Sequence, residues 1–414
     1  MTDVIDAATA TPRSAGSAVL EVTNLTVDFP TEDGVVHAVR GVSYAVGRGE
    51  TIGIVGESGS GKSVTSLAIM GLLPRTATVG GSVRLHGREL LGLSERDLAK
   101  VRGKQVAMIF QDPMTSLNPV YTVGWQLAEA LRAHDDSMSK QAARDRSIEL
   151  LKLVEIPNAE RRVDQYPHEY SGGMRQRAVI AIGMANNPEV IIADEPTTAL
   201  DVTIQAQVLE TLKKAQQETG AALVLITHDL GVVAGVADRV LVMYAGRPVE
   251  LGSVEDIYYS PRMPYTVGLL GSLPRLDART QERLTPIQGA PPSLINLPPG
   301  CPFGPRCPLH QERCDEEEPR LEAVAGMSHL AACWYSEALS AQGIEASDIF
   351  APTGVDAEVP LAGEALGGEE ADLESLGAAA AAEKLRTRAV KRTATKATKA
   401  TKAPRRGTPK DPSA

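Results

Sequence analysis

One stretch of the chain has residue types and spacing suited to phosphate chemistry: Gly56-Glu57-Ser58-Gly59-Ser60-Gly61-Lys62-Ser63, a G-x4-G-K-S pattern. It follows the apolar run Thr51–Val55 and precedes the apolar helical run SLAIMGLL, the setting in which such a loop cradles a nucleotide. Glycines let backbone N–H groups turn inward around phosphate oxygens, and the start of a helix adds positive dipole. Lys62 is then expected to reach the β and γ phosphates of ATP, and Ser63 to offer its hydroxyl to Mg²⁺. A second constellation closes the run Val190-Ile-Ile-Ala, where Asp194 and Glu195 stand side by side. Neighbouring strand residues point to opposite sides, so the two acids can take different roles. Asp194 is expected to hold magnesium and Glu195 to polarise the attacking water as general base. The third group is the full set of four cysteines, spaced Cys301-x5-Cys307-x6-Cys314-x18-Cys333. Four thiolates suit tetrahedral zinc or an iron–sulfur cluster, and unligated thiols are the remaining reading.

These residues need elements to position them. From Val19 to about Ser260 short β-branched apolar runs alternate with longer helical patterns, which predicts α/β architecture with a mostly parallel sheet. The strands that matter are Thr51–Val55, Val106–Phe110, Val190–Ala193 and Leu223–Thr227, each ending in polar or glycine-rich residues. In open α/β sheets ligands collect at the carboxyl ends of strands, so four such ends predict one shared site. Between the second and third strands, over about 119–180, the pattern turns helical (VGWQLAEALRAH, RSIELLKLV), as an inserted subdomain would. A Pro-rich stretch, GAPPSLINLPPGCPFGPRCP, marks a change of architecture, and a small Cys-containing domain is expected over 261–338. Residues 1–18 and the acidic-then-basic tail 339–414 hold too little apolar surface to offset ordering entropy and are expected to be disordered.

At 414 residues the chain exceeds what one core usually serves; about 150 residues per domain predicts two to three units. The longest apolar runs, such as Ala221 to Ile226, fall far short of the ~20 residues a membrane helix needs, and residues 1–18 do not read as a secretion signal. A cytoplasmic protein is therefore expected. The net charge of −10 argues against a general nucleic-acid binder. That average conceals a split: Leu321 to Glu383 lacks Lys and Arg, whereas Lys384 to Lys410 is rich in both. The basic end reads as a solvated tail, a segment drawn to anionic lipid headgroups, or a nucleic-acid contact, and nearness to a membrane favours the second over the third.

With Ser171-Gly172-Gly173-Met174-Arg175-Gln176-Arg177 opening a helical run upstream of the Asp-Glu strand, residues 19–260 resemble the nucleotide-binding domain of ABC transporters. The resemblance implies that Ser171, Gly172, Gly173, Arg175 and Gln176 meet the γ-phosphate of ATP held by a second, facing domain. Gln111, after VAMIF, resembles the Q-loop glutamine that joins the Mg²⁺ and water site to the membrane partner, and His228, after LVLIT, resembles the switch histidine at the γ-phosphate. Asp201 resembles the D-loop aspartate, with a plain helix N-cap as the other reading. Phe29, in LTVDF, resembles the aromatic on which adenine stacks, with a core phenylalanine as the other reading.

Tyr170 and Met174 depart from the commonest signature, where many members have Leu and Gln. Together with QDPMTSLNP, YSGGMRQR and MPYT they resemble the ATPase subunits of oligopeptide, dipeptide and nickel importers over residues 19–338. Some members of that subfamily hold a [4Fe–4S] cluster, which the resemblance implies for Cys301, Cys307, Cys314 and Cys333. It further implies a peripheral subunit on the cytoplasmic face of the membrane. The expected partners are a second, non-identical ATPase subunit, two transmembrane permease subunits and an extracellular substrate-binding protein, and no nucleic acid. A soluble ABC-type ATPase of translation or DNA maintenance is the rival; such translation factors usually carry two ATPase domains and the repair type long coiled coils, and neither occurs here.

Overall fold

The computed structural model describes residues 18–198, 200–272, 286–324, 328–341 and 349–350. The readings of residues 1–17 and of the tail beyond 350 therefore lie outside the described residues. The chain opens with a long hairpin, β1 (Leu20–Thr31) and β2 (Gly34–Val46), turned at Glu32 and Asp33. Two more antiparallel strands, β4 (Thr78–Leu85) and β5 (Arg88–Glu89), complete a four-stranded sheet in the order β2-β1-β4-β5. Between the two halves of that sheet the chain makes β3 (Thr51–Val55) and the helix Lys62–Ile69.

The larger sheet is built around β3. Its parallel strands are β6 (Val106–Ile109), β7 (Val190–Asp194), β8 (Ala222–Thr227) and β9 (Arg239–Tyr244), lying β9-β3-β8-β7-β6. β3, β7, β8 and β9 are buried along their whole length, which is why they read as continuous apolar runs instead of alternating ones. Alternation survives in what each face touches. Val190, Ile192, Val224 and Ile226 enter the core shared with the small sheet, while Ile191, Ala193, Leu223 and Leu225 enter a second core. That second core belongs to the helices inserted between β6 and β7, and it takes Leu127 and Leu131 from Val123–Arg132 and Leu150 and Leu151 from Lys140–Leu153. Both helices begin at hydroxyl caps: Thr122 accepts from the Trp125 N–H and Ser139 from the Ala142 N–H.

Beyond β9 the sheet turns antiparallel with β10 (Arg247–Ser253). The segment expected as a separate unit from residue 261 joins this same sheet. Its two short strands, β11 (Glu322–Ala323) and β12 (Leu330–Ala331), pair with each other, and β12 pairs with β10 through Glu250 and Leu251. Phe303, Leu330 and Ala332 enter the core that already holds Ile52, Leu241 and Tyr244. A two-residue strand has no periodicity to read, so the sharing of sheet and core leaves no trace in the sequence pattern.

Candidate active site

The loop Gly56–Ser63 runs from the carboxyl end of β3 into the helix Lys62–Ile69. At Gly61 the backbone is left-handed, φ 98°, and a Cβ there would come 2.4 Å from the Ala38 carbonyl oxygen. Only glycine lets the loop lie this close to the β1–β2 hairpin. Lys62 spans the loop, its ammonium donating to the Gly56 carbonyl at 2.6 Å and the Glu57 carbonyl at 3.0 Å. Burial pulls the Lys62 pKa down, and the carboxylates of Glu195, Asp194 and Glu57 pull against that.

The ends of the next strands complete the site. Ser63 Oγ donates to Asp194 Oδ1 at 2.9 Å. Burial raises the Asp194 pKa, and the Ser63 hydrogen bond opposes it. A hydroxyl and a carboxylate oxygen in contact form the oxygen donor set that a small hard divalent cation prefers, so these residues fit Mg²⁺. One residue on, Glu195 has φ 46°, a left-handed backbone that costs free energy for a non-glycine residue and that clusters at functional sites. Its Oε2 gathers three neighbours: Gln111 Nε2 at 3.0 Å, Thr198 Oγ1 at 2.8 Å and His228 Nδ1 at 3.3 Å. The Glu195 side chain is only 12% exposed, while His228 is 57% exposed and Gln111 lies at the surface, so the carboxylate is held at the floor of a hub that opens to solvent. Gln111 arrives from the loop after β6 and His228 from the end of β8, where the Asp229 N–H donates to Thr227 Oγ1 and holds the turn.

Thus Lys62, Ser63, Asp194, Glu195, Gln111 and His228 come together at four strand ends, as expected. Thr198 belongs to the same hub and was missed, although its place three residues after Glu195 put it within reach. The remaining residues have other surroundings. Phe29 is half-buried on β1 opposite Val36 and packs against the core. Asp201 caps the helix Val202–Thr219, accepting from the Ile204 N–H at 2.9 Å. Ser171 caps the helix Gly172–Met184, and Gly173 lies so near the Asp201-capped helix that a Cβ would come 2.5 Å from Ile204 Cγ2. Arg175 donates to the Pro167 carbonyl at 2.7 Å, and Gln176 is 0% exposed. The Gln176 amide is buried and has no hydrogen-bond partner among the described residues, so it does not lie on the surface as a contact to a facing domain would require.

The four cysteines form a second locus. Cys301, Cys307, Cys314 and Cys333 are free thiols lining one cavity together with Met263, Phe303, Leu309 and Trp334. Burial pushes the Cys301 and Cys333 thiols up to about 11 and the Cys307 thiol up to about 12. Among the described residues no three His, Cys, Asp or Glu side chains lie close enough to hold a single metal ion.

The fold and the hub together define a P-loop nucleotide-binding domain. Residues 39–198 match the ABC transporter family, and residues 249–314 match the C-terminal region of oligopeptide and dipeptide transporters. An oligopeptide transport ATP-binding protein, OppD, from Mycobacterium tuberculosis is 58% identical over 334 residues, 81% of this chain and 54% of that protein. The dipeptide transport ATP-binding protein DppD of Bacillus subtilis is 53% identical over 332 residues, 80% of this chain and 98% of that protein. The chain thus spans about half the length of the mycobacterial relative and nearly all of the Bacillus one. Among solved structures, the dimeric ATP-binding cassette MJ0796 in a post-hydrolysis state with ADP and phosphate is similar. It gives a TM-score of 0.52 at 30% identity, covering 57% of this chain and 98% of that one. The chain belongs to the ABC transporter family, in its oligopeptide and dipeptide branch.

Proposed function

We propose that this chain hydrolyses Mg-ATP and that its turnover drives import of di- or oligopeptides across the cytoplasmic membrane. The observation that carries the reading is the hub: Glu195 held by Gln111, Thr198 and His228, directly beside the Ser63–Asp194 pair. Backbone N–H groups of Gly56–Ser63 and the Lys62 ammonium bind the phosphates, and Ser63 and Asp194 hold Mg²⁺, which neutralises developing charge when bound. Glu195 takes the proton of the attacking water, with Gln111 and His228 fixing its carboxylate. Ser171, Gly172, Gly173 and Arg175 serve the γ-phosphate of a facing ATPase subunit, whereas Gln176, fully buried, packs the helix behind them; Asp201 signals across that interface, and Phe29 stacks on adenine. The peptide cargo follows from the relatives named for oligopeptide and dipeptide transport.

The partners are a second ATPase subunit, two transmembrane permease subunits and an external binding protein. An open groove of about 670 Å³ on the helical insert suits a permease element. Trp125 at its edge stacks on Tyr121 at 3.9 Å, and both rings are exposed. The permease subunits would hold this chain at the cytoplasmic face of the membrane; among the described residues no helix is long and apolar enough to cross it. For the cysteines we infer a [4Fe–4S] cluster over zinc. Cys301, Cys307, Cys314 and Cys333 line one cavity and would supply one thiolate to each iron, the full ligand set of such a cluster.

Glu195→Gln tests the hydrolysis: turnover should fall roughly 10²–10⁴-fold with ATP affinity kept. Wild-type turnover would remove Glu195 as the base. Co-purification from membranes with hydrophobic subunits tests transport; a chain recovered on ribosomes instead would point to the soluble ATPase reading. Anaerobically purified protein should carry iron and sulfide and be brown. Colourless, iron-free protein would refute the cluster.

A further inference from the structure

Glu57, the second residue of the phosphate loop, is held from outside the nucleotide-binding fold. Both of its carboxylate oxygens are taken by Arg306, Nη1 to Oε2 at 2.7 Å and Nη2 to Oε1 at 2.9 Å. Arg306 sits 249 residues away in sequence, in the single turn Gly304–Arg306 between Cys301 and Cys307. Its side chain is 5% exposed, and its remaining hydrogen bonds go to Tyr244 Oη at 3.2 Å and, through Nε, to the Gln288 carbonyl at 3.1 Å. The Glu57 backbone N–H donates to Tyr265 Oη at 2.8 Å. Tyr244, Tyr265 and Phe303 wall this contact, with Phe303 edge-on to both tyrosines at 5.4 Å between centroids. On its other side the Glu57 carbonyl accepts from Lys62. One residue therefore links the Arg306 guanidinium to the ammonium that must meet the phosphates.

We propose that Arg306 is a positioning residue of the nucleotide site, supplied by the C-terminal segment and acting through Glu57 on Lys62; this rests on the ATP reading given above. Two effects follow from the geometry. The bidentate fork fixes the Glu57 backbone and with it the carbonyl that orients Lys62. It also neutralises a carboxylate that would otherwise lie beside bound phosphates and repel them. Lysine cannot replace it fully, because a point charge neutralises the carboxylate without clamping both oxygens.

The test uses the full chain carrying Glu195→Gln, so that Mg-ATP survives the titration, with Kd read by competition against a fluorescent ATP analogue. Arg306→Ala should raise Kd at least tenfold, and Arg306→Lys should fall between it and the parent. Adding Glu57→Gln to Arg306→Ala should recover part of the lost affinity, because the uncompensated charge is gone while the clamp stays lost. In the Glu195-intact chain, kcat at saturating ATP should change far less than KM. If Arg306→Ala does not fold, the Arg306→Lys variant and the Glu57→Gln/Arg306→Ala pair carry the same test. Folded Arg306 variants with parental Kd, beside a Lys62→Ala control that loses affinity, would overturn the proposal and leave only a structural ion pair. A Lys62→Ala control with unchanged Kd would instead overturn the ATP reading beneath it.

Discussion

The hub around Glu195 and the cavity around the four cysteines are each assembled from residues far apart in sequence, but they are held differently. The hub stands on strand ends whose positions are set by a buried parallel sheet, and its polar groups already engage one another: Ser63 with Asp194, and Gln111, Thr198 and His228 with Glu195. The cavity is lined by residues from several short segments, and burial pushes the Cys301 and Cys333 thiols up to about 11 and the Cys307 thiol up to about 12. Its surroundings are apolar side chains such as Met263 and Leu309. A site organised by the sheet can lose one side chain and keep its shape. A site organised by its own packing cannot, so the two regions should respond to substitution in opposite currencies, one in rate and the other in stability.

The largest effect separates them most sharply. Glu195→Gln keeps the size and most hydrogen bonds of the side chain, so turnover should drop roughly 10²–10⁴-fold while the thermal midpoint barely moves. A fall in midpoint matching the fall in rate would mean that the hub is a packing element too, and the comparison would fail. At the cavity, Phe303→Ala should cost about 3–5 kcal/mol in denaturant unfolding of the full chain. Phe303 is 1% exposed and packs against Tyr244 and Tyr265 in the shared core. An unchanged midpoint would show that the C-terminal segment folds independently of the sheet.

That second prediction depends on a feature that sequence patterns do not carry. Thr51–Val55 and Val190–Asp194 were legible because strands buried on both faces are continuous apolar runs, and the G-x4-G-K-S spacing names its own chemistry. Three kinds of feature were not. β11 and β12 are too short for periodicity, and the Glu57–Arg306 pair joins two residues that no local window contains. Gln176 reads as part of the segment that meets the ATP of a facing domain, yet helix packing turns it inward until it is fully buried. In each case tertiary packing, not local propensity, decides.

The seam between the regions gives the next effect. Glu250 of β10 is fully buried, and His329 Nε2 meets its Oε1 at 2.7 Å next to the pairing of β10 with β12. His329→Leu would leave that oxygen with the Arg262 N–H alone and should destabilise the chain by about 1–3 kcal/mol. His329→Gln, which retains a donor, should recover part of the loss. Equal midpoints for the two variants would mean that packing, and not the hydrogen bond, ties the edge strand to the sheet.

The smallest effect tests whether the hub is as preorganised as its geometry implies. Thr198→Val preserves shape and removes one of the three neighbours of Glu195 Oε2, leaving Gln111 and His228 in place. A neutral hydrogen bond contributes about 0.5–1.5 kcal/mol net, so kcat should fall roughly 2- to 13-fold with ATP affinity unchanged. Steady-state turnover beside a nucleotide titration reads both. A loss as large as that of Glu195→Gln would mean that Thr198 alone holds the left-handed turn at Glu195, whose φ is 46°, and that the sheet does not. The site would then depend on local packing as the cysteine cavity does. No loss at all would mean that Gln111 and His228 suffice, and that the strand ends alone set the position of the base.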